Sequence, residues 1–509
     1  MNRFLLITFL FLSIRINGIS QSPPVIIDSL TTKLLTGGQM LEDFNYLRQI
    51  LEETHPGLYR YTSKDSIQAK MDSIAGSFKA AMPFYAFYRI IAAFIADIRC
   101  AHTYAIPVEA IGKYLTGSVK MLPYEVTILQ NHAFVTLNGT TDTTVKPGYE
   151  LMTINEQAVS ELLPELYRHI WADGFNESNK KSQLAGIKFG LFYYMAVARP
   201  DTFLLTVRNP AGQLFPVKAP ALPFNEYYAQ VFKNAVNKHL LAIYKPRNEK
   251  EKKQGWRLEM LDEPQTALLR IKSFGGGNDT KEAAKKMKDF MDKTVATLKK
   301  KNIRHLIVDL RSNPGGWDIQ GVELFTYLMK DTVPVRYYLH KHAITDSSVY
   351  LKFSDLSPED MRNIKKELKR EVDGTFTVRE EYNEDMKLQN PKTNRFTGNL
   401  YFLINGGSAS TTSEFTAVAH SNKLGIFIGT ETGGAYEGGN GGSFLHFKLP
   451  NSRIAVGTPL LYYNNAVTTP VQKGRGTLPD YEVNSTIEDI LQGRDPQLEF
   501  ALRLVRKNK

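Results

Sequence analysis

The sequence has one cysteine, Cys100, in 509 residues. A lone cysteine excludes intramolecular disulfides, whatever the redox compartment. It also leaves no cysteine for lipid attachment beside the N-terminal apolar segment. After that segment, no run is long and apolar enough to span a bilayer. Zinc-finger, Walker and dinucleotide-binding fingerprints are absent, so nothing points to a bound nucleotide. A stripe of one charge sign is also missing, although the net charge is +11. The basic residues of "YKPRNEKEKKQGWR" and "LKKKNIR" are scattered, and Glu interrupts the first run. That pattern reads as solvated helix faces and linkers, not a nucleic-acid surface. Internal repeats and low-complexity tracts are absent as well.

What remains is ordinary globular composition, 42% hydrophobic and 23% charged. A chain of this length has room for two to four domains by the usual order-of-magnitude prior, about 100–200 residues each. Residues 1–20, "MNRFLLITFLFLSIRINGIS", have a basic start, an apolar stretch from Phe4 to Ile14, and small residues Gly18 and Ser20. This is expected to be a signal peptide cut before Gln21. A soluble periplasmic or secreted protein follows, with no stable membrane insertion.

The pattern along the chain changes twice. Residues 28–103 are expected to be an N-terminal helical domain. "LEDFNYLRQILEETHPGLYRY" puts Phe44, Leu47 and Leu51 on one helix face, and His55-Pro56-Gly57 ends it. "PFYAFYRIIAAFIADIRC" is apolar nearly all round and predicts a buried helix. Residues 104–220 turn to short alternating runs such as "LPYEVTILQNHAFVTLNG", which predict a β-rich domain. A polar linker is expected over 221–256. From 257 to 509 strand and helix alternate, around a charge-rich insertion at 343–397. That alternation predicts an α/β core.

Two stretches of this core carry chemistry. In "LYFLINGGSASTTSEF" a buried strand runs into a glycine pair, then hydroxyl residues, then a helix. Ser408, Ser410, Thr411, Thr412 and Ser413 suit helix N-caps. A hydroxyl there also suits attack on a carbonyl, beside free N–H groups and the positive end of the helix dipole. In "IRHLIVDLRSNPGGWD" a second buried strand ends in Asn313-Pro314-Gly315-Gly316. Sites in open α/β sheets form at the carboxyl ends of strands. Gly315 or Gly316 N–H, with Thr411 N–H, would then make an oxyanion hole around Ser410.

"VDLRSNPGG", "LINGGSAS…SEF…IGTETGG" and "GTLPDYEVNSTIEDILQGRDPQLEFAL" together resemble the tail-specific, or C-terminal-processing, serine peptidase family. "LPYEVTILQNHAFV…VKPGYELMTINEQAV" is similar to that family's PDZ-like module, and "FIADIRCAHTYAIP" to the segment before it. The resemblance covers most of the chain after about residue 40. It implies a ClpP/crotonase-like α/β core, an N-terminal helical region and a PDZ-like β-rich domain. It also implies hydrolysis of peptide bonds in extended or C-terminal polypeptide segments. The family nucleophile falls on Ser410, with Thr411 and Ser413 as less favoured alternatives.

The base departs from one branch of the family. The Lys of the Ser–Lys branch would fall in Gly434-Ala435-Tyr436, and its supporting Asp near Ser421-Asn422; both are missing. The Ser–His branch, typified by the tricorn core, matches His102 in "CAHTY". Its preceding Ser is Ala101 here, and Lys473 stands near its supporting Glu. Asp97 and Thr103 are local candidates for holding the imidazole. Cys100 reads as core packing rather than a thiol nucleophile. Lys473 in "QKGRG" reads as a surface residue rather than a base.

The expected function is therefore a serine-type peptidase with Ser410 and His102 as catalytic residues and Gly315, Gly316 and Thr411 as the oxyanion hole. Its partner is a polypeptide substrate, with no nucleic acid. No metal or cofactor is expected, since His340 and His342 have no accompanying carboxylate motif. The alternative is an inactive peptide- or ligand-binding protein on the same fold.

Overall fold

The computed structural model describes residues 29–115, 117, 119–244, 255–468 and 473–507. The expected signal peptide lies outside the described residues. Among those described, no helix is long and apolar enough to cross a membrane.

The fold is mixed α/β, and a six-stranded sheet positions the site. Its order is Trp256–Met260, Thr266–Ile271, His305–Asp309, Asn399–Ile404, Ile426–Gly429 and Tyr481–Glu482. The first pair is antiparallel and the others are parallel. The four inner strands are mostly apolar because both sheet faces are covered there. Helix Thr280–Lys300 lays Met287, Met291, Val295 and Leu298 on one face. Helix Pro496–Lys507 packs Ala501 and Val505 on the other. Strands His305–Asp309 and Asn399–Ile404 are direct neighbours, so the loops leaving their carboxyl ends lie side by side.

A buried ion cluster anchors this edge. The Arg311 guanidinium donates to Asp309 Oδ1 at 2.8 Å, to both Asp495 oxygens at 2.7 Å and to Gln497 Oε1 at 2.9 Å. Burial would raise the Asp309 carboxyl, but the charges of Arg311 and Arg270 outweigh it and hold it below the usual carboxylate range. Its contribution is present above the unfolded carboxyl value of about 3.9 and is lost as pH falls toward the folded value. Arg311→Met is expected to destabilise the fold by about 3–5 kcal/mol, because it strands buried carboxylates. Urea unfolding at pH 7 and pH 3 checks this, and the variant should show the smaller loss between the two.

The N-terminal helices Gly37–Thr54, Lys64–Ser77 and Phe84–Asp97 form where expected. Thr36 and Gln39 make a capping box, and Phe44, Leu47 and Leu51 are buried. A second sheet runs Leu214–Pro220, Thr202–Arg208, Glu150–Ile154, His132–Asn138, Tyr124–Leu129. Tyr104–Ile106 does not join it. That strand pairs antiparallel with Ala455–Asn465 in a third sheet, Tyr104 opposite Gly457. A Cβ on Gly457 would lie 2.3 Å from the Tyr104 ring, so the glycine admits the strand.

The expected linker is not extended. Its described part holds helices Phe224–Lys233 and Lys238–Tyr244. Tyr227, Val231 and Leu240 bury against Leu137, a periodicity that the charged run following at 245–256 obscures in the sequence. The insertion at 343–397 also folds back. Phe376–Val378 pairs with Tyr338–Ala343, and Asp355 exchanges hydrogen bonds with the Phe444 backbone.

Candidate active site

Ser410 sits where strand Asn399–Ile404 has turned and helix Thr411–Ser421 begins. Its backbone is at φ 54° and ψ −133°, a conformation rare for a residue with a Cβ. Such strain, about 1–3 kcal/mol, marks strand-to-helix elbows that present a nucleophile. The hydroxyls around it divide clearly. Ser408 Oγ donates to Leu310 O at 2.9 Å, Thr411 Oγ1 to Gly316 O at 2.8 Å and Ser413 Oγ to Ser408 O at 2.8 Å. Thr412 is buried. Ser410 alone among the five is partly open, and its side chain does not cap the helix.

Ser410 Oγ lies 3.2 Å from His102 Nε2, across 308 positions of sequence. The Tyr104–Ile106 strand, just after the histidine, delivers it by docking on strand Ala455–Asn465 of the third sheet. The ring is tilted over Phe444 at 5.6 Å between centroids. Phe444 is held in turn by Asp355 of the insertion.

The Asn313–Gly316 loop closes on the serine from the neighbouring strand. Gly315 has φ +98°, and a Cβ there would lie 2.7 Å from Ser410 Cβ and 2.9 Å from Thr411 N. Of the three expected donors, one is taken. Gly315 N–H donates to Asn313 Oδ1 at 2.9 Å, so it does not point into the site. Gly316 N–H and Thr411 N–H have no acceptor among the described residues. Gly315 therefore serves by lacking a side chain, and the two donors left are Gly316 and Thr411.

Behind these donors, Thr411 Oγ1 also reaches Asp318 Oδ1 at 3.1 Å, and Tyr463 OH donates to Asp318 Oδ2 at 2.7 Å. Lys341 Nζ donates to Asp385 Oδ2 at 2.8 Å in the same cluster. Burial, then the Asp318 charge, pushes the Glu414 carboxyl up to about 8, and Tyr338 OH donates to it. Glu414 thus stays protonated at neutral pH and leaves the helix mouth no more negative.

The other residues weighed from sequence fall elsewhere. Asp97 pairs with Lys70 at the surface. Thr103 Oγ1 meets His55 Nε2 at 2.8 Å, and burial holds that imidazole down at about 4 and neutral. Ala435 is buried where the alternative lysine would stand. Lys473 is exposed, 5.9 Å from the Tyr61 ring. His340 and His342 meet edge-to-face with ring centroids 4.3 Å apart, and no group of three metal-ligating side chains occurs among the described residues.

Cys100 is fully buried, and burial pushes its thiol up to about 12, so no thiolate forms at neutral pH. The folded protein is expected to resist iodoacetamide at pH 8, while the guanidinium-unfolded chain gains one label. Intact mass reads both. Labelling of the folded chain at the unfolded rate would reopen the thiol as a nucleophile.

Sequence reasoning missed Asp173 and Arg60. The Ala101 N–H donates to Asp173 Oδ1 at 2.8 Å, one residue from His102. Arg60 Nη1 donates to Gly439 O at 3.0 Å. The signal was present: each is an ionisable residue within an apolar or aromatic run, "IWADGF" and "GLYRY". Such residues are costly to bury unless partnered.

Residues 265–483 match peptidase family S41. Nothing among curated proteins matches the chain. Mature CPAF is similar in structure, with TM-score 0.57 and 14% identity over 91% of this chain and 96% of that one. Mature CPAF complexed with lactacystin gives 0.56 and 14%, over 92% and 97%. The photosystem II D1 C-terminal processing protease gives 0.40 and 13%, over 91% and 96%. At these identities the likeness to CPAF is one of fold.

Proposed function

From a chain that carries a domain of peptidase family S41, and is on that ground a serine-type peptidase, we propose a Ser–His mechanism acting on extended polypeptide. The observation that carries it is the 3.2 Å approach of His102 Nε2 to Ser410 Oγ. Ser410 Oγ attacks the scissile carbonyl carbon while Nε2 takes the hydroxyl proton. Gly316 N–H and Thr411 N–H donate to the oxygen that becomes negative. The imidazolium returns its proton to the leaving amine, and the acyl-serine ester remains. Water then repeats the sequence, with His102 as base, and frees the new carboxylate.

The sheet spanning Tyr124–Pro220 acts as a PDZ-like module that takes an extended chain as an added strand. Residues 1–20 direct the protein to the periplasm or beyond, where it meets unfolded or C-terminal segments.

A fluorophosphonate probe and a digest of unfolded polypeptides, both read by mass spectrometry, test the mechanism. The probe is expected on Ser410 and nowhere else, with labelling lost in His102→Ala. Cleavage without any label on Ser410 would reject the assignment. Neither label nor cleavage, over a broad peptide set and pH range, would favour the reading of an inactive binding protein.

A further inference from the structure

His102 Nδ1 is buried and has no hydrogen-bond partner among the described residues. An imidazole used as a base needs a group that holds the ring and balances its charge when protonated. Neither sequence candidate does this, since Asp97 and Thr103 have other partners.

A set of buried polar groups gathers behind the ring instead. Asp173 is 3% exposed and accepts from the backbone beside His102. The Arg60 side chain is 2% exposed, stacks 4.2 Å from the Tyr462 ring and stands 4.0 Å from Glu437 Oε1. Its Nε and Nη2 find no acceptor, and Glu437 Oε2 finds no donor, among the described residues. Glu437 Oε1 is held by Tyr61 OH at 3.2 Å and Gly474 N–H at 3.0 Å. Asn440, beside Gly439, also has a buried, unpartnered Oδ1.

The charge count decides the role of this set. It holds two carboxylates and one guanidinium. The set therefore carries one carboxyl group more than guanidinium, next to the backbone of His102. Burial raises the Asp173 carboxyl above its usual range; the charges of His102 and then Arg60 oppose the rise, and Glu437 adds to it. Asp173 is thus tied to the backbone next to His102, where the charge of the imidazole acts on its carboxyl. The other titratable groups around the ring are weaker partners. Cys100 stays protonated, Tyr104 bonds His446 at 3.1 Å, and Asp355 lies beyond Phe444 with its carboxyl raised by burial.

We infer that Asp173 is the positioning residue for His102, with Arg60 and Glu437 setting the charge against which the imidazolium forms. The inference rests on the Ser–His reading for its effect on rate, but not for its effect on the histidine. Asp173 reaches the chemistry through the ring and does not touch substrate. It comes from the segment after helix Val159–Tyr167, distant in sequence from Lys473, near which the family resemblance places the supporting Glu, but packed against Gly474 through the Phe175 N–H to Gly474 O bond at 2.8 Å.

The experiment titrates His102 by NMR in full-length Ser410→Ala protein, with the resonance assigned by its loss in His102→Gln. Asp173→Asn keeps an oxygen for the Ala101 N–H and removes only the charge. It is expected to lower the His102 midpoint by about 1–3 pH units, the usual effect of one close opposite charge. Glu437→Gln is expected to lower it by less, and it carries the test if Asp173→Asn does not fold. An unmoved midpoint in a folded variant overturns the inference. With Ser410 restored, Asp173→Asn is expected to cut kcat by about 10²–10⁴-fold with KM within threefold. If no variant cleaves anything, the peptidase reading fails while the titration still decides the coupling.

Discussion

Ser410→Ala is expected to lower cleavage of an unfolded polypeptide by about 10⁴–10⁶-fold, the loss seen when a triad nucleophile is removed. No neighbouring hydroxyl can substitute. Ser408, Thr411 and Ser413 are each committed to a backbone carbonyl, and Thr412 is buried. Stability should move little, because alanine meets the same backbone strain at φ 54° that serine does. Ser410→Gly separates the two properties. It should be as inactive as the alanine variant, yet at least as stable, since glycine adopts positive φ without a Cβ penalty. Parallel digestion and urea unfolding of the three proteins read both effects. A Ser410→Ala protein that retains a tenth of parent activity would move the nucleophile elsewhere.

Gly316→Ala is expected to cost about 3–5 kcal/mol and to abolish cleavage in whatever fraction folds. Its Cβ would lie 1.9 Å from Phe274 O, and φ is +144°. The obstacle is backbone, so no rotamer change relieves it. Phe274 and Gly316 are tied in a parallel bridge, with Trp317 N–H donating to Phe274 O at 2.7 Å. Any shift that admits the methyl therefore moves the Gly316 N–H away from Ser410. Gly374→Ala is the control. That glycine also has positive φ, +86°, but nothing lies within 4 Å of its Cβ position, so the cost should be about 1 kcal/mol with activity unchanged. Urea unfolding and the same digest measure both. A stable, fully active Gly316→Ala protein would remove Gly316 from the oxyanion hole.

The strand-to-helix turn at Ser410 was legible because its signal is local. A buried strand, a glycine pair, small hydroxyl residues and a helix-like stretch read as strand, tight turn, helix. The same holds for the Asn313–Gly316 turn, whose glycines both adopt positive φ. The helical N-terminus was readable from its 3.6-residue periodicity, and the alternating strands of 124–220 from theirs. The linker misled because the charged run at 245–256 outweighed the apolar first part, where Glu226, Lys233 and Lys238 are the only charged residues of 221–244. Composition dominated there over periodicity.

Sequence alone determined the α/β core, Ser410 at a helix mouth beside a glycine turn, and His102 as the histidine to watch. The core and the Ser410 turn rest on local backbone preference and hydrophobic pattern, whereas His102 was singled out by the family resemblance of its segment. Tertiary structure decided the rest. It set the 3.2 Å between His102 and Ser410, because that distance depends on Tyr104–Ile106 docking on a strand some 350 positions later. It chose Gly316 over Gly315 as a free donor, because the Asn313 side chain takes the Gly315 N–H. It assembled Asp173, Arg60 and Glu437 from three distant segments into one buried charge group. No local rule anticipates such a group. Its energy depends on burial and on the sum of charges in a shared low-dielectric space, and both exist only once the chain is folded.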